Sequence, residues 1–113
     1  MTAFVEYLHE VFELFGPITA RKMFGGYGIY HNGLMFGLVS DDTLYLKADT
    51  ENANYFEKGE LGKFEYTKGD KTMKMSYYQA PAKIMEDSEQ AAIWARRSYE
   101  AACRTQSAKK KTR

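Results

Sequence analysis

The sequence contains little cysteine, histidine or proline, and it has no long apolar segment. Cys103 is the only cysteine among 113 residues, which excludes an intramolecular disulfide and an all-cysteine metal site. No apolar run approaches the roughly 18 residues that a membrane-spanning helix needs. Residues 1–6 lack the basic segment and apolar core of a signal peptide. These absences predict a soluble, cytoplasmic protein with no membrane partner.

The charges nearly balance, because 16 lysine and arginine residues stand against 15 aspartate and glutamate residues and leave a formal net charge of +1. A charge this small provides no global argument for nucleic-acid binding. Four cations nevertheless lie together in Lys109-Lys110-Lys111-Thr112-Arg113. A polar, basic end of this kind is typical of a disordered tail. We therefore predict one domain over residues 1–104 and a disordered basic tail over residues 105–113.

The first third of the chain carries clear signals for a helix and for hairpins. Apolar residues recur at the spacing of one helical face over residues 3–15, between Thr2 as an N-cap and Gly16-Pro17 as a stop. This pattern predicts an amphipathic helix. Asn32-Gly33 separates two apolar runs, which is typical of a β-hairpin with a type I′ turn. Asp41-Asp42 marks the next turn, so an antiparallel meander is predicted.

The rest of the chain adds strands and two helices. A short helix is predicted over residues 51–56, and Asp87 with Gln90 forms a capping-box pattern that opens a second long helix. The predicted strands are 20–24, 27–30, 34–39, 44–48, 63–67 and 73–78. This order of elements predicts a two-layer α+β domain, with the N- and C-terminal helices packed on one face of an antiparallel sheet.

Residues that could carry catalysis are sparse. His9 and His31 lie in different predicted elements, are interpreted as exposed, and do not complete a structural zinc site. Gly25-Gly26-Tyr27-Gly28 leads into a strand, so these glycines are interpreted as serving a bulge or a close backbone approach, not a phosphate loop. Asp41-Asp42 and Glu86-Asp87 occupy positions where aspartate bonds the local backbone. We therefore predict no enzyme, no metal and no cofactor.

Basic residues accompany tyrosines along the predicted strands and recur on the last helix and the tail. Such an arrangement could track a phosphate backbone and stack on bases. The alternative is that tyrosine is simply a good strand residue and that the lysines solvate an exposed face. The candidate nucleic-acid or partner contacts are Arg21, Lys22, Lys47, Lys71, Lys74, Tyr77, Tyr78, Arg96, Arg97, Lys109, Lys110 and Lys111.

Three stretches of the sequence together resemble the N-terminal domain of the TfoX/Sxy family. They are Arg21–Tyr30, Met35–Val39 with Leu44–Lys47, and Met75–Tyr78 with Pro81. The resemblance implies a compact α+β domain in regulators of DNA-uptake competence, which act without a cofactor as transcriptional co-activators beside a cyclic-AMP-responsive DNA-binding protein. The fuller regulators carry a second, C-terminal domain, so this chain is expected to be a stand-alone N-terminal domain.

Three hypotheses about function follow. The first is a regulatory interaction module that contacts a transcription regulator, with DNA contacts as an open alternative. The second is non-specific nucleic-acid binding through the basic face and tail, which salt would weaken steeply. The third is a small enzyme with a sheet-side pocket at Tyr77, Tyr78 and Arg21. A two-fold homodimer is also expected, through an exposed sheet edge or the aromatic face.

Overall fold

The structure is a computed structural model that describes residues 2–23, 25–68 and 70–111, apart from the side chains of residues 66–68, 71–75 and 108–111. In chain order its elements are α1 (Ala3–Val11), β1 (Thr19–Met23), β2 (Gly26–His31), β3 (Leu34–Ser40), β4 (Thr43–Lys47), α2 (Ala53–Lys58), β5 (Lys63–Lys68), β6 (Lys71–Gln79), a 3-10 helix (Ala82–Met85) and α3 (Ser88–Lys111). The described strands form one antiparallel sheet of six strands in the order β1-β2-β3-β4-β6-β5.

The main hydrophobic core lies between the helices and one face of this sheet. Its buried members come from α1 and the residue that follows it, from the central strands and from α3, and include Val5, Leu8, Phe12, Ile29, Phe36, Leu44, Leu46, Ala91 and Ala95. The rings of Phe12 and Phe36 meet edge to face, with centroids 5.5 Å apart. Since α1 and α3 pack on the same face, the predicted two-layer α+β architecture is confirmed.

Two tight turns connect the central strands. Asn32 and Gly33 have φ values of 49° and 79°, and Asp41 and Asp42 have φ values of 52° and 53°. Positive φ at both central residues defines the type I′ turn, whose twist matches that of antiparallel strands. Asparagine and aspartate tolerate this left-handed conformation better than most residues. The hairpin predicted at Asn32-Gly33 is confirmed, and the aspartate pair forms a second turn of the same kind.

The glycine-rich segment lies where strands approach closely. A Cβ on Gly26 would overlap the carbonyl oxygen of Val39 on the neighbouring strand. A Cβ on Gly28 would come within 2.7 Å of the Met23 sulfur atom and 2.8 Å of the Met35 sulfur atom. At Gly26 the interpretation as a close backbone approach is therefore confirmed, because no larger residue fits there without displacing a strand.

The boundaries of α1 differ in part from the prediction. The Thr2 cap is confirmed, since its hydroxyl oxygen accepts from the Val5 amide at 3.2 Å. The helix ends at Val11 instead of residue 15. Beyond it the Phe15 amide donates to the Phe12 carbonyl, three residues back, at 3.0 Å. These tighter turns redirect the chain ahead of Pro17, which cannot donate a backbone hydrogen bond.

The helix α3 begins where the sequence predicts. The Asp87 carboxylate accepts from the Glu89 and Gln90 amides, each at 3.1 Å, as an N-cap aspartate does. The helix continues to Lys111, whereas the sequence predicted an irregular tail from residue 105. Alanine, glutamine and lysine in this stretch favour helix once a preceding helix provides the nucleus.

Candidate interaction surfaces

The structure places the predicted contact residues in both layers of the domain. Side chains alternate along a strand, so the strand pairing assigns each residue to a face. Arg21, Lys47 and Tyr77 lie on the face opposite the helices (the open sheet face), Lys22 and Tyr78 on the helix-covered face, and Arg96 and Arg97 on α3. The structure therefore does not bring these residues together on one surface.

The open sheet face carries a second apolar cluster. Its buried members are Leu38, Phe64 and Tyr77, with Met35 and Tyr45 packed against them. Phe64 lies on the edge strand β5, yet it lines a cavity of about 10 Å³ together with Met23 from the opposite edge strand β1. The sheet therefore curls around this cluster, and the cavity has room for roughly one water molecule.

Tyr77 and the nearby cations are part of this packed face. Only 6% of Tyr77 is exposed, and its burial raises its pKa, with a smaller contribution from Tyr30. The Lys47 ammonium lies 5.3 Å from the centre of the Tyr77 ring and donates to the Ser76 hydroxyl at 3.0 Å. The Arg21 guanidinium lies 5.6 Å from the centre of the Tyr30 ring. Tyr77 is thus too buried to serve as a platform for a base.

Tyr78 faces the opposite side of the sheet. Its ring stacks on Phe56 with centroids 5.0 Å apart and an interplanar angle of 13°, and its hydroxyl donates to the Glu57 carboxylate at 3.2 Å. Partial burial and this hydrogen bond raise the pKa of Tyr78. Since Tyr77 and Tyr78 point to opposite faces, the sheet-side pocket predicted at Tyr77, Tyr78 and Arg21 is not formed as one site.

The two histidines differ in their surroundings. His9 is exposed, as predicted, but His31 is only partly exposed. The His31 Nδ1–H donates to the Pro17 carbonyl at 2.7 Å. Its ring packs between Phe15 and Tyr99, with centroid distances of 4.5 and 4.9 Å. The prediction of an exposed His31 was wrong, because the turn before β1 folds back over the end of β2.

For five of the predicted contact residues, the structure gives the position of the backbone but does not describe the side chain. Lys71 and Lys74 belong to β6, and Lys109, Lys110 and Lys111 end α3, but these side chains lie outside the described part of the structure.

In the part that is described, no group of three or more histidine, cysteine, aspartate or glutamate side chains could hold a metal ion. No helix within residues 2–23, 25–68 and 70–111 is long and apolar enough to cross a membrane.

Where α2 lies beside α3, aromatic, aliphatic and basic side chains form a partly exposed group, the α2–α3 patch (Tyr55, Ile93, Trp94 and Arg97). The Arg97 guanidinium lies 3.7 Å from the centre of the Tyr55 ring and 5.3 Å from the centre of the Trp94 ring. Tyr55 is 40% exposed and Ile93 42% exposed. Tyrosine, tryptophan and arginine are the residue types that most often dominate protein interfaces, although Trp94 itself is largely buried and only 8% exposed.

A polar network holds this patch in place. The buried Asn52 donates through Nδ2 to the Lys47 carbonyl at 3.1 Å and to the Arg97 carbonyl at 3.5 Å, and its Oδ1 accepts from the Asp49 amide at 2.7 Å. Asp49 is itself paired with Arg104. The hydrogen bond from Arg104 lowers the pKa of Asp49, and the same bond raises the pKa of Arg104. The start of α2 is thereby tied to both β4 and α3.

Of the patch, sequence reasoning proposed only Arg97 as a contact residue and missed Tyr55, Ile93 and Trp94. Ile93 precedes Arg97 by one helical turn, a spacing that the sequence does display. Tyr55 lies in a different helix, 42 positions before Arg97 in the printed sequence. No local pattern predicts that α2 packs beside α3, so the stack of Tyr55 and Arg97 could be found only in the folded chain.

The structure is that of a small α+β domain with one six-stranded antiparallel sheet. Comparison with known proteins assigns its family. The family model described as the TfoX N-terminal domain matches residues 10–102. The chain therefore belongs to the TfoX N-terminal domain family, and the resemblance inferred from its motifs is confirmed.

Two curated relatives support this assignment. Protein Sxy of Escherichia coli (strain K12) is 26% identical over 98 residues, which cover 87% of this chain and 47% of that protein. The DNA transformation protein TfoX1 of Aliivibrio fischeri (strain ATCC 700601 / ES114) is 32% identical over 63 residues, covering 56% of this chain and 30% of that protein. The matches thus span about half the length of the first relative and under a third of the second.

Proposed function

We propose that this protein is a non-enzymatic regulatory domain that acts in the control of transcription and of DNA-uptake competence, chiefly by contacting another protein. The observation that carries the proposal is the family match over residues 10–102. A relative in that family bears the name DNA transformation protein. The α2–α3 patch supports the emphasis on protein contacts, because its residue types favour protein interfaces. The role is a cytoplasmic one, beside the transcription machinery.

The test is genetic and biochemical together. The gene is deleted in its native host and restored with the full chain, and transcripts and transformation frequency are measured in all three strains. A tagged full chain is used in parallel to recover bound proteins. We expect a defined set of transcripts to change and to be restored, and a transcription or DNA-associated protein to be recovered. Unchanged transcripts together with no such partner would contradict the proposal.

Direct nucleic-acid binding is the second candidate, favoured by exposed cations on several surfaces. Arg21, Lys22 and Arg96 are exposed, and lysines 109–111 add three charges at the end of α3. Binding through such contacts releases counterions, so the logarithm of affinity should fall by about 0.9 per phosphate contact for each unit of log salt concentration. Because some of these cations lie on the sheet and others on α3, we expect only weak binding without sequence preference.

Fluorescence anisotropy with labelled duplex DNA at low and moderate salt tests this candidate. The full chain is compared with a variant in which Lys109, Lys110 and Lys111 are all changed to glutamine, which keeps the length and helix propensity of α3. Salt-dependent binding that weakens in the variant would support DNA contacts through the basic end. The absence of binding at low salt would remove this candidate.

A homodimer is part of the proposal, and light scattering coupled to gel filtration tests it. The strand β1 forms one edge of the sheet, and such edges invite pairing with another chain. Antiparallel self-pairing centred on Arg21 would oppose two like charges, which destabilises a strand pair. We therefore expect light scattering to give the mass of a dimer whose interface lies on another surface. An R21E variant should leave the measured mass unchanged.

A further inference from the structure

We propose that the groove between α2 and α3 binds a carboxylate side chain, flanked by an apolar residue, from a partner protein. Arg97 is the ligand for the carboxylate, and Ile93 with Tyr55 receives the apolar neighbour. This inference rests on the proposed function and names the surface and the chemical class of the partner. The groove encloses about 150 Å³ and is lined by Glu51, Asn52, Tyr55, Arg97, Glu100 and Arg104. That volume suits one side chain, since sites for drug-sized ligands start near 300 Å³.

Arg97 is held in position before any partner arrives. Its guanidinium lies 3.7 Å from the centre of the Tyr55 ring, and its backbone carbonyl accepts from the buried Asn52 at 3.5 Å. A stacked guanidinium presents its N–H groups at its edge, in the geometry that binds a carboxylate through two hydrogen bonds. Because the side chain is already ordered, binding loses less rotamer entropy than it would at a mobile arginine.

The two arginines of the groove differ in what they already bind. Arg104 is engaged by Asp49 at 2.6 Å and by Glu51 at 3.1 Å. Within the described residues, Arg97 has no carboxylate within 4.0 Å and donates no side-chain hydrogen bond. Its donors are therefore available to an external acceptor. The stack on Tyr55 stabilises the cation without using those donors.

The apolar part of the proposed ligand follows from the neighbours of Arg97. Ile93 lies one helical turn before it and is 42% exposed, and the Tyr55 ring is 40% exposed. An apolar side chain next to the carboxylate would cover both surfaces and exclude water from the ion pair. Exclusion of water strengthens such a pair, as it does around interface hot spots.

A protein ligand fits this groove better than a nucleic acid does. Glu51 and Glu100 line the same groove as Arg97, and duplex DNA carries one negative charge per roughly 1.7 Å of its axis. Additional phosphates would therefore lie near these glutamates and be repelled. A single carboxylate meets the same repulsion but brings only one negative charge, which the Arg97 cation offsets. Ile93 also provides an aliphatic surface, whereas bases stack on aromatic rings.

The test uses the full chain and two synthetic decapeptides with blocked ends. One contains a single glutamate between two leucines in a glycine-serine background, and the other has glutamine in place of that glutamate. Binding is followed by NMR, through the Arg97 Nε–Hε resonance and the Ile93 methyl resonances. We expect the glutamate peptide to shift both sets of resonances and to bind at least about fivefold more tightly than the glutamine peptide.

Matched variants identify the arginine. R97Q removes the charge and should reduce binding of the glutamate peptide at least about fivefold, while R96Q, at the exposed neighbouring position, should bind as the wild type does. A thermal melt of each variant shows whether it is folded, and R97K provides a second charged variant without the planar fork. We expect R97K to bind more weakly than the wild type, because lysine cannot reproduce the paired hydrogen bonds.

Several outcomes would overturn the inference. These are no binding of the glutamate peptide, equal binding of the two peptides, resonance shifts confined to the open sheet face, or loss of binding in folded R96Q. A single-stranded dodecanucleotide that shifts Arg97 more than the glutamate peptide does would assign the groove to nucleic acid instead. Restored transcripts in the deletion strain carrying R97Q would reject this site while leaving the proposed function intact. Unchanged transcripts after deletion would reject that function without affecting the peptide result.

Discussion

Arg104 and Asp49 form a two-hydrogen-bond ion pair that joins the second half of α3 to the loop after β4. The Arg104 Nε lies 2.6 Å from Oδ2, and Nη2 lies 2.9 Å from Oδ1. The same carboxylate accepts from the Glu51 and Asn52 amides at 3.0 and 3.3 Å. One aspartate therefore caps the turn before α2 and anchors α3, which explains how the α2–α3 patch keeps its geometry.

This ion pair predicts how stability depends on pH. Because Arg104 lowers the pKa of Asp49 in the folded state, the pair stabilises the fold above the ordinary aspartate pKa of about 3.9, and this contribution is lost as pH falls through the lowered value. We expect R104Q to reduce the free energy of unfolding by roughly 1 kcal/mol at pH 7, since the pair is partly exposed and screened. Urea denaturation at pH 7 and pH 2.5 measures this difference.

The difference between R104Q and the wild type should shrink toward the acid end. R96Q serves as the control, because Arg96 is exposed and should have little effect at either pH. A difference for R104Q that stays constant from pH 7 to pH 2.5 would show that ionisation of Asp49 is not responsible.

Ser98 provides a second prediction. Its hydroxyl oxygen is fully buried under α3 and, in the described part of the chain, has no hydrogen-bond partner. Replacement by alanine removes the desolvation cost and improves helix propensity, so S98A should be stabilised by about 1 kcal/mol or more. S107A, at an exposed position of the same helix, gains only the propensity and is the control. A melting temperature of S98A at or below that of S107A would indicate that the hydroxyl has a partner after all.

Gly26 provides a third prediction. G26A places a methyl group against the Val39 carbonyl, so strands β2 and β3 must separate locally. We expect the free energy of unfolding to fall by more than about 2 kcal/mol. Urea denaturation measures this change as a lower unfolding midpoint. G62A is the matched control, because a Cβ at Gly62 meets no atom within 4 Å, and it should change stability by less than about 0.5 kcal/mol. Equal midpoints for the two variants would contradict the close approach.

Tyr77 predicts a change at high pH. Burial raises its pKa above that of the unfolded chain, so above about pH 10 the unfolded state loses its proton first and the fold is destabilised. Y77F should match the wild type within about 0.5 kcal/mol at pH 8 and exceed it in stability at pH 11. Y55F, at an exposed ring, should show no such gain. Denaturation followed by circular dichroism at both pH values measures the difference.

Much of the fold could be predicted because local chemistry decides it. Thr2 and Asp87 start helices through their own side-chain oxygens, and Asn32-Gly33 turns because those residues tolerate positive φ. The extent of α1 could not be predicted from periodicity alone. Its apolar pattern continues to Phe15, but the chain tightens beyond Val11 to enter the sheet. The helix α3, by contrast, extends further than the sequence predicted, since no signal marks where a helix stops among lysines.

The sequence by itself determined the elements, their order and the family, because capping, turn formation and period-two alternation depend on near neighbours. Only the tertiary structure decided which surfaces exist. Alternation places Tyr77 and Tyr78 on opposite faces, but it does not say that the open sheet face curls and buries Tyr77 with Phe64. The contact of Arg97 with Tyr55 likewise depends on how α2 and α3 pack. Such contacts join residues that are far apart in the chain. Whether they form depends on how the whole core packs, and not on the sequence around either residue.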